Sequence, residues 1–337
     1  MRAVLLHEPS RPEVTEVPDP APGPGEVIVA VDACGICGTD LHILDGDFAP
    51  TPYPIVPGHE FCGEVVDTGG AADITEGTFA AIDPSLFCGR CRECRRGRGN
   101  LCRDWGAIGV TVDGAFAEYV AVPVANVYPL DETIPRSWGT LVEPLSCVVH
   151  ALDRLGALIG RSALIYGAGT MGLLLAQLVR REGVTRLDVV DPRAERLSVA
   201  RRVGADGAAP TADDLAASRW DLVVDATGAI SAIEDGLGRV ARGGTFLVFG
   251  VAPADGSARF APFRICHDEI TVIGSMAVLH SFGRAVELLA TGAVDPEPLL
   301  THRLPLDAYE DAIARVRAGE GLKVQLSPTK GEAWTSA

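Results

Sequence analysis

The stretch that most limits the fold is Ser162-Ala-Leu-Ile-Tyr166 running into Gly167-Ala-Gly169-Thr170-Met171-Gly172, with apolar residues on most helical faces from Met171 to Val179. A short apolar run that stops at glycines and resumes with helical periodicity reads as strand, tight turn and helix. Gly167 permits the turn, Gly169 lets a backbone approach a pyrophosphate closely, and Gly172 lets the helix pack against the strand. The pattern predicts a dinucleotide site, with the phosphates at the positive end of the helix that Thr170 and Met171 open.

A second strand, Arg186–Val190, ends at Asp191, 19 residues beyond Gly172. A carboxylate there accepts hydrogen bonds from ribose hydroxyls and favours NAD over NADP. Arg193 pulls the other way, since a guanidinium pairs with the extra phosphate of NADP, while Arg196, one helical turn on, stacks on the adenine. The alternation continues with AERLSVARRVGAD and ISAIEDGLGRVARG as helices and WDLVVDATG, TFLVFG and EITVIGS as strands. Such alternation implies βαβ units and a parallel sheet. Thr227, Gly228, Phe249, Gly250 and Ser275 follow successive strands at the carboxyl edge of that sheet, where backbone contacts to the cofactor are expected.

The chain upstream reads differently. Residues 1–142 carry many Pro and Gly residues and short β-branched runs such as EVIVAVDACG, GEVVDTG and AEYVAVPVANVYPL, the pattern of a β-rich domain. Residues 143–276 hold the doubly wound domain, and 277–337 return to complete the first one. That last segment carries helices at Phe282–Thr291 and near Ala308–Arg317, and a polar tail, SPTKGEAWTSA, expected to fray. A chain of 337 residues is too long for one ordinary core.

Composition excludes whole classes of function. A net charge of −16 argues against a nucleic-acid partner, and no apolar run is long enough to span a bilayer. The opening MRAVLLHEPSRPEV has neither the apolar stretch nor the cleavage site of a signal peptide, so a cytoplasmic location is expected. The basic cluster from Arg90 to Arg98 is interleaved with Cys88, Cys91, Cys94 and Cys102, spaced C-x2-C-x2-C-x7-C. Four thiolates this close surround one tetrahedral zinc at about 2.3 Å each, and a closed shell of this kind is structural. An iron–sulfur cluster is the rival reading, since four cysteines also hold those.

The stretch CGICGTDLH, with Cys34 and Cys37 spaced C-x-x-C, admits a redox pair, half of a metal cage, or one ligand beside a bystander. Candidates for an open metal site are Cys37, His59 and Glu60 in VPGHEF, and Glu143 in VEPL. The pieces GICGTDLH, PGHEFCGEVV, the four-cysteine lobe, EPLSCVVHAL, GAGTMG and VVDP resemble, in order and over essentially the whole chain, the zinc-dependent medium-chain dehydrogenases. EPLS in place of a cysteine is similar to the sorbitol, xylitol, glucose and threonine dehydrogenase branch. One departure is Glu76-Gly-Thr-Phe79, where relatives carry a Gly-Asp-Arg-Val turn.

The resemblance implies a GroES-like catalytic domain beside a Rossmann domain. It also implies a catalytic zinc on Cys37 and His59 with a third oxygen ligand from Glu60 or Glu143, which exchange roles between metal and water. Zinc brings the pKa of a bound oxygen toward roughly 7, so an alcohol ionises near neutral pH and passes a hydride to the nicotinamide. Thr39 would accept the proton and His42 carry it outward. The implied substrate is a secondary alcohol on a polyol, sugar or similar polar compound, or the corresponding ketone. Cys34 is read as a packed thiol, as are Cys62, Cys147 and Cys266. An NADPH-linked aldehyde or ketone reductase and a non-catalytic NAD-binding redox sensor are the competing readings. A homodimer or homotetramer joined through the strand near Val272–Ser275 is expected by the same resemblance.

Overall fold

The computed structural model describes residues 1–48, 50–328 and 334–335, which form two compact units. The first comprises residues 1–146, 278–291 and 296–337; the second comprises 147–277 and 292–295. No described helix is long and apolar enough to cross a membrane.

The first unit is built on an eight-stranded sheet among its described residues. Its spine is the strand Glu26–Gly35, where Val27, Val29 and Val31 alternate into the core and intervening residues face away. This strand pairs antiparallel with Glu60–Asp67, with Tyr119–Pro123 and, at its far end, with Lys323–Ser327. The register sets Gly35 opposite Glu60 and also opposite Gln325. Phe61, Phe116, Tyr309, Val324 and Leu326 close the core, and the Phe116 and Tyr309 rings meet edge to face at 5.7 Å.

The second unit is a six-stranded parallel sheet in the order Gly207–Ala209, Arg186–Val190, Ser162–Tyr166, Trp220–Asp225, Val240–Val248, Thr271–Gly274. Ser162–Tyr166 pairs with the strands on both sides, so the chain order reverses beside it. Ligands of open α/β sheets bind at such a reversal, outside the carboxyl ends of the strands. The central strands Ser162–Tyr166 and Trp220–Asp225 are mostly apolar and buried because both faces are covered.

Two expectations are corrected here. The helix expected through Gly243 ends at Arg239, because Val240, fully buried and β-branched, pairs with Trp220 and starts a strand instead. Within the tail expected to fray, Trp334 and Thr335 add a short strand against Arg303 and His302; residues 329–333 and 336–337 lie outside the described residues.

Candidate metal centres and dinucleotide site

The donor atoms of Cys37, His59 and Glu60 lie within 4.8 Å of one another. They come together because Gly35 and Glu60 are strand partners, so the chain leaving one strand at Cys37 passes the chain entering the other at His59. Cys37 caps the helix Gly38–Asp45, and Asp40 ties the corner: its Oδ2 accepts the Cys37 N–H at 2.8 Å. Asp40 Oδ1 faces His59 Nδ1 at 3.4 Å, long for a hydrogen bond but within ion-pair range. Burial alone would push the His59 imidazole down, but Asp40 and then Cys37 overcome it and hold the pKa well above its ordinary value.

A metal fits this arrangement. Glu60 Oε1 is buried without a hydrogen-bond partner, a costly state that a cation there relieves. Thiolate, imidazole and carboxylate are zinc donors, and three protein ligands leave a position open. A carboxylate behind the ligating histidine is the usual support for such a site. Glu143 sits in the first turn of the helix Val142–Asp153, half-buried and outside the 4.8 Å cluster. Thr39 Oγ1 lies 3.9 Å from Cys37 Sγ, and His42, one turn on, is partly exposed with Nδ1 3.5 Å from Asp47. Lys323, absent from the sequence reading, pairs with Glu60 inside the protein. Burial would lower its pKa, but Glu60 above all, with Cys37 and Glu143, holds the ammonium above the usual lysine value.

The second centre is Cys88, Cys91, Cys94 and Cys102, whose sulfurs also lie within 4.8 Å of one another. Backbone N–H groups of Cys91, Cys94 and Asp104 donate to Cys88, Cys91 and Cys102 sulfurs at 3.3, 3.5 and 3.3 Å. The Cys94 N–H is the main reason the Cys91 thiol falls to about 6, whereas burial and the neighbouring sulfurs push Cys94 up to about 12. Four sulfurs competing for protons while backbone donors favour the thiolate suit a divalent ion. Cys34 is fully buried with its thiol pushed well up by burial, and Cys62 is buried likewise. Cys147 is half-buried, but Cys266, expected to be packed, is exposed on the short helix Pro262–His267.

In the second unit Gly167 has φ +97°, which only glycine adopts without strain, and the helix Thr170–Arg181 starts from Gly169. A Cβ on Gly172 would lie 1.8 Å from the Gly167 carbonyl oxygen, whereas one on Gly169 would meet nothing nearer than Arg196 Nη1 at 3.9 Å. The space above Gly169 is the cradle a pyrophosphate needs. Beside it opens a cavity of about 470 Å³ lined by Gly167, Asp191, Arg193, Arg196 and Thr227 among others. Asp191 Oδ2 accepts the Ala168 N–H at 2.8 Å and Oδ1 the Arg193 N–H at 2.9 Å, and Arg196 Nη1 stands 3.9 Å from Oδ2. Thr170 is buried at the helix start with Met171 half-buried beside it.

The expected backbone contacts from the later turns need correcting at their N–H groups. Asp225, fully buried, binds the N–H of Thr227 and Gly228 with its carboxylate and those of Phe249 and Gly250 with its carbonyl; Ser275 N–H goes to Val248. Those donors are spent within the chain, which leaves carbonyls and side chains to face a ligand. Sequence reading missed Asp225 and Asp40 although each had a signal. Asp225 precedes A-T-G as an Asx turn would, and Asp40 stands three residues after a cap. Lys323 had none, because it meets Glu60 only where their two strands flank the end of Glu26–Gly35, across 263 residues of sequence.

Residues 23–132 match the alcohol dehydrogenase GroES-like domain and 136–324 the glucose dehydrogenase C-terminus. The chain is 34% identical to D-arabinitol dehydrogenase 1 of Uromyces fabae, over 97% of each chain. It is also 34% identical to D-altritol 5-dehydrogenase of Agrobacterium fabrum, over 91% of this chain and 93% of that one. Among solved structures, one described as a candidate zinc-binding dehydrogenase from Sinorhizobium meliloti 1021, bound to NADP, superposes with a TM-score of 0.93. It is 36% identical and covers 97% of this chain and 99% of its own.

Proposed function

Because the chain belongs to the zinc-dependent medium-chain dehydrogenase superfamily and is an alcohol or polyol oxidoreductase, we propose that it oxidises a secondary alcohol on a polyol, sugar or similar polar compound, with NAD as hydride acceptor. The observation that carries this is the convergence of Cys37, His59 and Glu60 with one carboxylate oxygen left bare in a buried site. Those three residues would hold zinc, which supplies a Lewis acid that eases loss of the substrate's hydroxyl proton. The nicotinamide supplies the hydride acceptor.

The remaining work falls to the chain's own side chains. Thr39, in the first turn of its helix and beside Cys37, accepts the hydroxyl proton at Oγ1 and hands its own outward. His42, at i+3 on the same helix and open to solvent, delivers it to water. Asp40 keeps His59 turned toward the metal and Cys37 at the helix start. Asp191, Thr170 and Met171 shape the cofactor site, and the carboxylate of Asp191 supports NAD. Cys37→Ser is expected to abolish turnover while NADH binding, read by fluorescence, stays near wild type. Full activity in a metal-free Cys37 variant overturns the reading.

A second reading, an NADPH-linked aldehyde or ketone reductase, is favoured by Arg193 on the cavity wall and by the NADP in the Sinorhizobium structure. Steady-state rates with both cofactors, across polyols, sugars, amino alcohols and cyclitols, separate the two. The proposal extends to a cytoplasmic homo-oligomer. The edge strand Thr271–Gly274 exposes Val272, and Met276 and Phe263 are exposed beside it in sequence, so a second copy would extend the sheet. Val272→Lys is expected to lower the mass seen by light scattering.

A further inference from the structure

One buried cation stands among the anionic donors. Lys323 opens the strand Lys323–Ser327 and is only 3% exposed. Its ammonium donates to the Ile36 carbonyl at 3.3 Å and to Glu60 Oε2, while Glu60 Oε1 has no partner. The meeting depends on Gly35: a Cβ there would lie 2.4 Å from Glu60 Oε2 and 3.1 Å from Lys323 Cδ.

We infer that Lys323 is a positioning residue for the metal site: it holds Glu60 Oε2 so that the carboxylate offers a metal only Oε1, and it offsets charge that the donors leave over. The thiolate of Cys37 and the carboxylates of Asp40, Glu60 and Glu143 carry two more negative charges than a divalent ion neutralises, and the ammonium offsets one of them. A charge excess inside a protein is expensive, which gives the pairing its purpose. The inference rests on the zinc reading of this site.

The test uses the full-length chain with both sites loaded, first with zinc and then with cobalt at the Cys37 site. Lys323→Gln frees Glu60 Oε2, so the visible cobalt bands should weaken and shift as a second oxygen joins the ion. Chelator competition should show the metal held about tenfold more tightly once the neighbouring ammonium no longer repels it. Lys323→Arg should restore the wild-type spectrum. Superimposable spectra and equal affinities for wild type and Lys323→Gln overturn the inference. Should the glutamine variant not fold, a crystal structure of the zinc-loaded wild type decides. Oε1 on zinc with Oε2 on Lys323 supports the inference, and both oxygens on zinc, or Glu60 turned from Lys323, overturns it. Uptake of only one metal per wild-type chain overturns the zinc reading and this inference together, whereas two metals with unchanged variants overturns the inference alone.

Discussion

Alanine at each of two glycines three residues apart should fail in opposite ways. At Gly172 the new methyl carbon would sit 1.8 Å from the Gly167 carbonyl oxygen, so the helix start must open by about 1.6 Å to restore an ordinary contact of 3.4 Å. The turn cannot retreat, because the Gly167 N–H is bonded to Val190 at 2.8 Å and the Ala168 N–H to Asp191 at 2.8 Å. Overpacking of this size costs about 3 kcal/mol, the upper end of the usual range. Gly169 has φ −75° and open space around it, so alanine there is sterically allowed. The gain from a stiffer unfolded chain and the loss of a good helix cap roughly cancel, leaving stability within about 1 kcal/mol of wild type. Its methyl group, however, occupies the approach of the pyrophosphate, and NADH affinity should fall at least about tenfold, or about 1.4 kcal/mol. Urea unfolding followed by circular dichroism and NADH titration by fluorescence give the two readouts. An unchanged urea midpoint for Gly172→Ala, or wild-type cofactor affinity for Gly169→Ala, refutes the assigned division of labour.

Other substitutions probe the remaining parts. Asp40→Asn should weaken metal binding at the Cys37 site about 10- to 100-fold and cost about 1 kcal/mol as the helix cap weakens; an unaltered dissociation constant by chelator competition would remove Asp40 from the site. Cys88→Ser should lose one of two bound metals by elemental analysis and lower the melting temperature while the Cys37 metal stays, because the two centres share no ligand. Asp191→Ala strips the acceptor from the Ala168 and Arg193 N–H groups and should cost about 1–3 kcal/mol in urea unfolding together with preference for NAD over NADP. Retained preference would move discrimination elsewhere on the cavity wall.

Much of the parallel-sheet unit was legible because its elements announce their own ends. Ser162–Tyr166 and Arg186–Val190 are short apolar runs bounded by turns, and the structure starts and stops those strands at the same residues. The helix that ends at Arg239 was misread by a turn, since a propensity pattern does not reveal that Val240 has a partner in Trp220. Cys266 shows the same weakness in reverse: small and thiol-bearing, it is exposed because the short helix carrying it has no buried residue. At the metal sites, local spacing exposed the four-cysteine lobe, the family resemblance pointed to Cys37 and His59, and a capping pattern was there to be read at Asp40. Lys323 was out of reach, because which strand lies beside Gly35 is decided by packing of the whole sheet.

The two metal centres also differ in when a growing chain can finish them. The four-cysteine lobe closes within 14 residues, so its ligands are all available once that short segment has been synthesised. Glu60 waits for a lysine 263 positions later, on a strand that pairs with the end of Glu26–Gly35. All four lobe cysteines have been synthesised long before Lys323, the counter-ion of the other centre, is added to the chain. Cell-free synthesis halted before Lys323 should therefore yield a chain that already retains metal at its cysteines yet lacks a settled Glu60. In biosynthetic order, the Cys37 site is completed last.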